Sequence, residues 1–110
     1  MQFEIEYYSA DVMAEIAALP ITLRARYFHL ADRMETHGPD LGMPHTRAMG
    51  GGLLEMRLKG QEGIARIFYC AMVGRRIVIL HGFIKKTDKT PAKELAIAKK
   101  RMQEVRNAQP

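Results

Sequence analysis

Residues 53–84 read LLEMRLKGQEGIARIFYCAMVGRRIVILHGFI, and the punctuation of this stretch decides the fold. LLEMRLK alternates, with Leu54, Met56 and Leu58 on one side and Glu55, Arg57 and Lys59 on the other, as a strand with a polar face turned outward does. GQEG makes a turn, IARIFYCAMV is a second strand, GRR a tight turn and IVILHGFI a third strand. Three consecutive strands joined by short turns predict an antiparallel meander.

Working outward, QFEIEYY places Phe3, Ile5 and Tyr7 opposite Glu4 and Glu6, which suits a half-buried N-terminal strand. Ser9 offers an N-cap to a helix whose apolar positions are Val12, Met13, Ile16 and Leu19, and Pro20 stops that helix or opens the next. The stripe Leu23, Tyr27, Leu30 and Met34 predicts a second helix, ended by Gly38-Pro39, so residues 9–38 read as a helical hairpin. PDLGMPHTRAMGGG then reads as a long surface loop. On the far side, Thr90 is placed as an N-cap with Pro91 at the first helical position, and Leu95, Ala98, Met102 and Val105 form the apolar stripe of a final helix. The expectation is an α+β fold: a small antiparallel sheet with an N-terminal helical hairpin and a C-terminal helix.

The chain has 110 residues, 47% hydrophobic and 26% charged, which predicts one domain over residues 1–110. No apolar run reaches membrane-spanning length and the N-terminus lacks the pattern of a secretory signal, so a cytoplasmic protein with no membrane partner is expected. Cys70 is a lone cysteine in an apolar run and reads as a packing residue. HxxxH, CxxC and phosphate-loop patterns are absent, so neither a metal nor a cofactor is expected. The net charge is +5, but residues 1–50 carry 4 basic and 7 acidic side chains and residues 51–110 carry 13 and 5. The positive potential therefore belongs to the second half, where it suits nucleic acid or an acidic partner.

Strands about 4.8 Å apart allow Arg57, Arg66, Lys85 and Lys86 to reach one phosphodiester if register and face agree. Arg66 stands out because Ile64 and Phe68 flank it in the alternation, so a guanidinium sits where burial is expected and needs a counter-charge; Glu55, Glu62 or a bound anion can supply it. His81 shares its alternation with Ile77, Ile79 and Phe83, a pattern that suits a core histidine and leaves a catalytic role open. His45 stands in the glycine-rich loop beside Arg47, and a loop residue is free to reach a ligand. His29 and His37 belong to the helical hairpin and suggest no site. The last helix carries Lys93, Lys99, Lys100, Arg101 and Arg106 as a basic face that adds attraction to RNA.

GGGLLEMR, ARIFY and LHGFIKKTDKTPAKELAIAKKR, within residues 43–102, together resemble the phage-derived HigB-like branch of the RelE/ParE toxin superfamily. The resemblance implies the toxin of a type II toxin–antitoxin pair: an endoribonuclease that cuts messenger RNA on the small ribosomal subunit and is neutralised by a helix-turn-helix antitoxin. It assigns Arg57, Arg66, Lys85 and Lys86 to the catalytic phosphate, with His81 and His45 as further candidates, and leaves Arg47, Lys59, Lys89 and Lys93 as RNA-binding positions. The tyrosine that some members carry near the last helix has no counterpart, because no tyrosine follows Tyr69. Five scattered carboxylates in residues 51–110 offer no cage for Mg²⁺, so metal-independent cleavage is expected. The readings from other classes are a non-catalytic nucleic-acid or partner-binding module and a ParE-like gyrase inhibitor.

Overall fold

The computed structural model describes residues 2–86 and 89–108. Its order is β1 (Glu4–Tyr7), α1 (Ala10–Ala17), α2 (Ile21–His37), β2 (Thr46–Gly50), β3 (Leu53–Gly60), β4 (Gly63–Met72), β5 (Arg76–Lys85) and α3 (Ala92–Ala108). The expected α+β architecture is present. The sheet runs β1-β5-β4-β3-β2, antiparallel throughout except where β1 lies parallel to β5. No described helix is long and apolar enough to cross a membrane.

The local signals act as their chemistry predicts at most boundaries. The Ser9 hydroxyl accepts from the Val12 N–H at 3.2 Å and starts α1. Pro20 precedes α2, and Leu23, Tyr27, Leu30 and Met34 are all fully buried along one stripe of it. Together with Val12 and Ile16 they pack on Met56, Leu58, Ala65, Ile67, Tyr69, Ile77 and Ile79, which form one face of the sheet. Each fully buried aliphatic side chain of this kind contributes about 1.5–3 kcal/mol. Met13, expected on the same helical stripe, is half exposed instead, because Val12 and Ile16 already occupy the contact. The opposite face holds a second, smaller core in which Ala98 and Met102 of α3 cover Leu53, Phe68, Cys70, Val78 and Leu80. Burial pushes the Cys70 thiol up, as expected of a packing cysteine.

Four expectations need correction. Residues 39–52 are not one long loop, since Thr46–Gly50 is an edge strand paired with β3. The alternation of so short a strand is masked by its neighbours; Gly50, Gly51 and Gly52, all at positive φ, turn the chain directly into β3. Next, the polar side of β3 does not simply face water: α3 lies over that side of the sheet, and Glu55 is only 1% exposed. Helix α3 begins at Ala92, one residue later than expected, and the Thr90 hydroxyl reaches Glu55 Oε2 at 3.3 Å. Finally, His81 does not share a face with Ile77 and Ile79. Phe68 pairs with His81 while Tyr69 pairs with Ile79, so Leu80 is an extra residue in β5, a bulge that reverses the alternation beyond it.

Candidate functional site

Because of that bulge, the end of β5 turns the same way as the polar side of β3. Three cross-strand rows result: Glu55, Phe68 and His81; Arg57, Arg66 and Phe83; Lys59, Ile64 and Lys85. All lie on the α3 side of the sheet, at the end towards the β3–β4 turn. The register sets Arg57 and Arg66 directly opposite one another.

Two guanidinium groups facing each other repel unless an anion lies between them. Glu55 supplies part of that charge. Arg57 Nη1 donates to its Oε1 at 3.2 Å, and Arg66 Nε lies 3.7 Å from the same oxygen. The second distance is too long for a hydrogen bond. Arg66 is 5% exposed, yet its Nε has no hydrogen-bond partner among the described residues; its Nη1 donates to the Ala65 carbonyl at 3.2 Å. Burial, then the Arg57 charge, pushes the Arg66 guanidinium below its ordinary value; Arg47 adds to this and Glu55 opposes it. One carboxylate therefore serves two buried or half-buried cations, and the cluster keeps an excess of positive charge that a phosphate fits. Glu62, the other candidate partner of Arg66, is committed elsewhere, accepting from the Thr22 hydroxyl and from the Thr22 N–H at 3.2 Å.

A groove of about 410 Å³ opens beside this cluster, lined by Arg26, Pro44, His45, Arg57, Leu58, Lys59, Ile64 and Arg66. The Arg57 N–H donates to the His45 carbonyl at 2.9 Å, which extends the β2–β3 pairing and sets His45 alongside Arg57. Of the candidate residues, Arg57, Arg66, His45 and Lys59 thus come together. Arg47 is exposed across from Glu55, and Lys85 is half-buried across from Ile64, at the margins of the groove. Lys86, Lys89 and Lys93 are exposed and do not line it; Thr87 and Asp88, between the lysines, lie outside the described residues.

His81 sits apart from the groove. Its Nε2 is 2.8 Å from Glu94 Oε1 on the first turn of α3, and its ring stacks near Phe83 with centroids 6.2 Å apart. The other ring nitrogen, Nδ1, has no partner among the described residues. Two site residues escaped the sequence reading. Glu55 was visible only as one of two partners for Arg66, although its place on the same strand face as Arg57 hinted at more. Arg26 carried no signal, because only packing brings α2 against Lys59.

Among the described residues no three His, Cys, Asp or Glu side chains converge in a way that holds a metal ion. Residues 14–103 match the model of a family described as phage derived protein Gp49-like (DUF891). No curated protein matches the chain.

Proposed function

The chain belongs to the phage-derived Gp49-like family, and from that premise we propose that it is a HigB-like toxin of a type II toxin–antitoxin pair, an endoribonuclease that cuts messenger RNA without a metal. The observation that carries this reading is the opposed pair Arg57 and Arg66, one of them 95% removed from solvent, sharing a single carboxylate at the wall of an open groove. The ribosomal setting and the helix-turn-helix antitoxin rest on the sequence resemblance alone.

In the proposed reaction the RNA's own 2′-hydroxyl attacks the adjacent phosphorus, its proton leaves to a base, and the departing 5′-oxygen takes up a proton. Attack within one nucleotide gains from proximity, so the protein has to align the sugar and stabilise the added negative charge. Arg57 and Arg66 do the second. His45 lines the groove beside them and is assigned the proton transfer, with Lys85 at the margin as the second candidate. His81 is engaged with Glu94, which favours a supporting role for it. Metal-free chemistry is supported by how the described carboxylates of residues 51–110 are used: Glu55 holds arginines, Glu62 holds Thr22, Glu94 holds His81 and Glu104 accepts from Tyr8.

The test uses ribosome-programmed messenger RNA with and without a 2′-deoxy residue at the cut site, in excess EDTA after a control that the ribosomes stay assembled. Cleavage of the all-ribose message alone is expected. Cutting of the 2′-deoxy message overturns the nucleophile, and broken DNA with intact messenger RNA in expressing cells replaces the reading with gyrase inhibition.

A further inference from the structure

The groove beside Arg57 and Arg66 does not end at Lys59. It shares Lys59 and Arg26 with a second depression of about 600 Å³ that runs between α2 and the β3–β4 turn, with Thr22, His29 and Gln61 also in its wall. Arg26 and His29 are one helical turn apart, so both project from the strip of α2 that borders the turn, and both are exposed. Among the described residues no carboxylate lines either depression. The nearest acid at the turn, Glu62, is tied to Thr22, and that hydrogen bond holds its carboxyl below the ordinary carboxylate value. Asp32 lies a further turn along α2, beyond the depression.

The depression is preformed. Gln61 N–H donates to the Thr22 hydroxyl at 2.9 Å, and α2 approaches so closely that a side chain at Gly60 would collide with Thr22 Oγ1 and come within 3.2 Å of the Leu23 nitrogen. A glycine at that turn position is therefore what lets a helix carrying Arg26 and His29 stand beside a strand carrying Arg57 and Lys59.

We infer that the RNA strand runs from the Arg57–Arg66 groove over the β3–β4 turn onto α2, where Arg26, Lys59 and His29 hold a phosphate flanking the one that is cut. This rests on the ribonuclease reading of the first groove. Strand-tracking proteins combine a continuous positive groove with successive phosphate contacts, and a site for one phosphate has to pass its neighbours in line. An acidic protein segment needs no such continuity with a cleavage site, which is why the observations favour RNA.

The test is a length series. Oligoribonucleotides of about 4 and about 8 residues, each with 2′-deoxy at the cut position, are titrated against the wild type, Arg26→Glu and His29→Ala by fluorescence anisotropy. For the wild type, the longer RNA is expected to bind several-fold tighter, and the slope of log affinity against log salt to steepen by about 0.7 for one added phosphate. Arg26→Glu should abolish the gain and His29→Ala reduce it, with melting temperatures unchanged because both positions are exposed. A length gain unchanged in both variants overturns the track, and cleavage of an all-ribose message by the wild type leaves the ribonuclease reading standing. A gain lost in the variants with no cleavage of any RNA keeps the track and removes the ribonuclease. If Arg26→Glu instead frees a co-expressed antitoxin while the length gain persists, the surface serves a protein and the inference falls.

Discussion

Under α1 and α2 the sheet presents Met56, Leu58, Ala65, Ile67 and Ile79, while the ionisable side chains buried among the described residues, Glu55, Arg66 and His81, lie on the other face; under α3 the sheet presents Leu53, Phe68 and Cys70 at one end and Glu55, Arg57 and Arg66 at the other. Two helices cover the first face along its length. A single helix covers the second, and it stops at Ala92, near the row of Glu55 and His81, short of the β3–β4 turn. The difference teaches where charge is tolerated. A fully covered face has no room for an ion without a partner, whereas the uncovered end of the α3 face can keep two arginines at the edge of water and leave one of them short of a counter-charge.

The largest effect expected from breaking that contrast is at Glu55. Glu55→Ala strands the buried Arg66 without an anion and should lower stability by about 3–5 kcal/mol, read by chemical denaturation. A variant as stable as the wild type means that the charged end is hydrated like any surface. Arg66→Ala removes the cation instead, and Glu55 keeps Arg57 and Thr90, so its stability loss should be clearly smaller while cleavage falls about 10²–10³-fold. Single-turnover rates and melts on the same samples separate the two. If cleavage by folded Arg66→Ala is intact, the arginine is structural.

The junction between the two halves of the α3 face comes next. Arg101 Nη1 donates to the carbonyl of the bulged Leu80 at 2.8 Å, and its guanidinium lies 4.8 Å from the Tyr8 ring centroid. Arg101→Met leaves that carbonyl without its donor and should cost about 1–3 kcal/mol; the accompanying change is expected in the His81 and Phe83 NMR signals, and none in those of Ile67 on the other face. Signals that move equally on both faces contradict a local role for the bulge.

A smaller effect concerns RNA affinity, whose salt slope should be roughly −3 for four phosphate contacts and should flatten by about 1.4 in Arg57→Ala/Lys59→Ala. Lys99→Ala/Lys100→Ala, on α3, should leave the slope alone; flattening there moves the RNA surface onto the helix.

The smallest effect is at the covered end of the same face, where Arg76 Nη2 donates to Glu6 Oε1 at 2.8 Å and both side chains are about a third exposed, at 31% and 35%. That hydrogen bond holds the Glu6 carboxyl below its ordinary 4.5. The stability it adds is present above 4.5 and is lost as pH falls through the lowered folded value. Solvent limits it to about 1 kcal/mol or less. Denaturation at neutral and acid pH should show a smaller acid loss in Arg76→Ala than in the wild type; an equal loss assigns the acid sensitivity to other carboxylates.

Much of the fold was legible because its signals are local. Ser9 caps α1 through a bond spanning three residues, the stripe from Leu23 to Met34 needs only helical spacing, and the turns at GQEG and GRR announce three strands. The edge strand β2 was not, since four residues before a glycine run carry too little periodicity to distinguish a strand from a loop, and its pairing partner decides the matter. At the site, Arg57, Arg66 and Lys59 could be named from a basic strand face and a misplaced guanidinium. Glu55 as their shared anion could not, because its burial depends on the approach of a distant segment, Thr90 and the helix that begins at Ala92.

By itself the sequence determined which residues are cations, which helical and strand stripes are apolar, and where the chain turns, all properties that act within a few residues. Tertiary structure alone decided which of them meet. The bulge at Leu80 reverses the side-chain alternation of β5, so His81, Phe83 and Lys85 join Arg66 on the α3 face instead of following Ile77 and Ile79 into the helical core. No local pattern encodes that reversal, because the extra residue is accommodated by what surrounds it: β4 pairs on either side of it and Arg101, from another element, takes up its carbonyl.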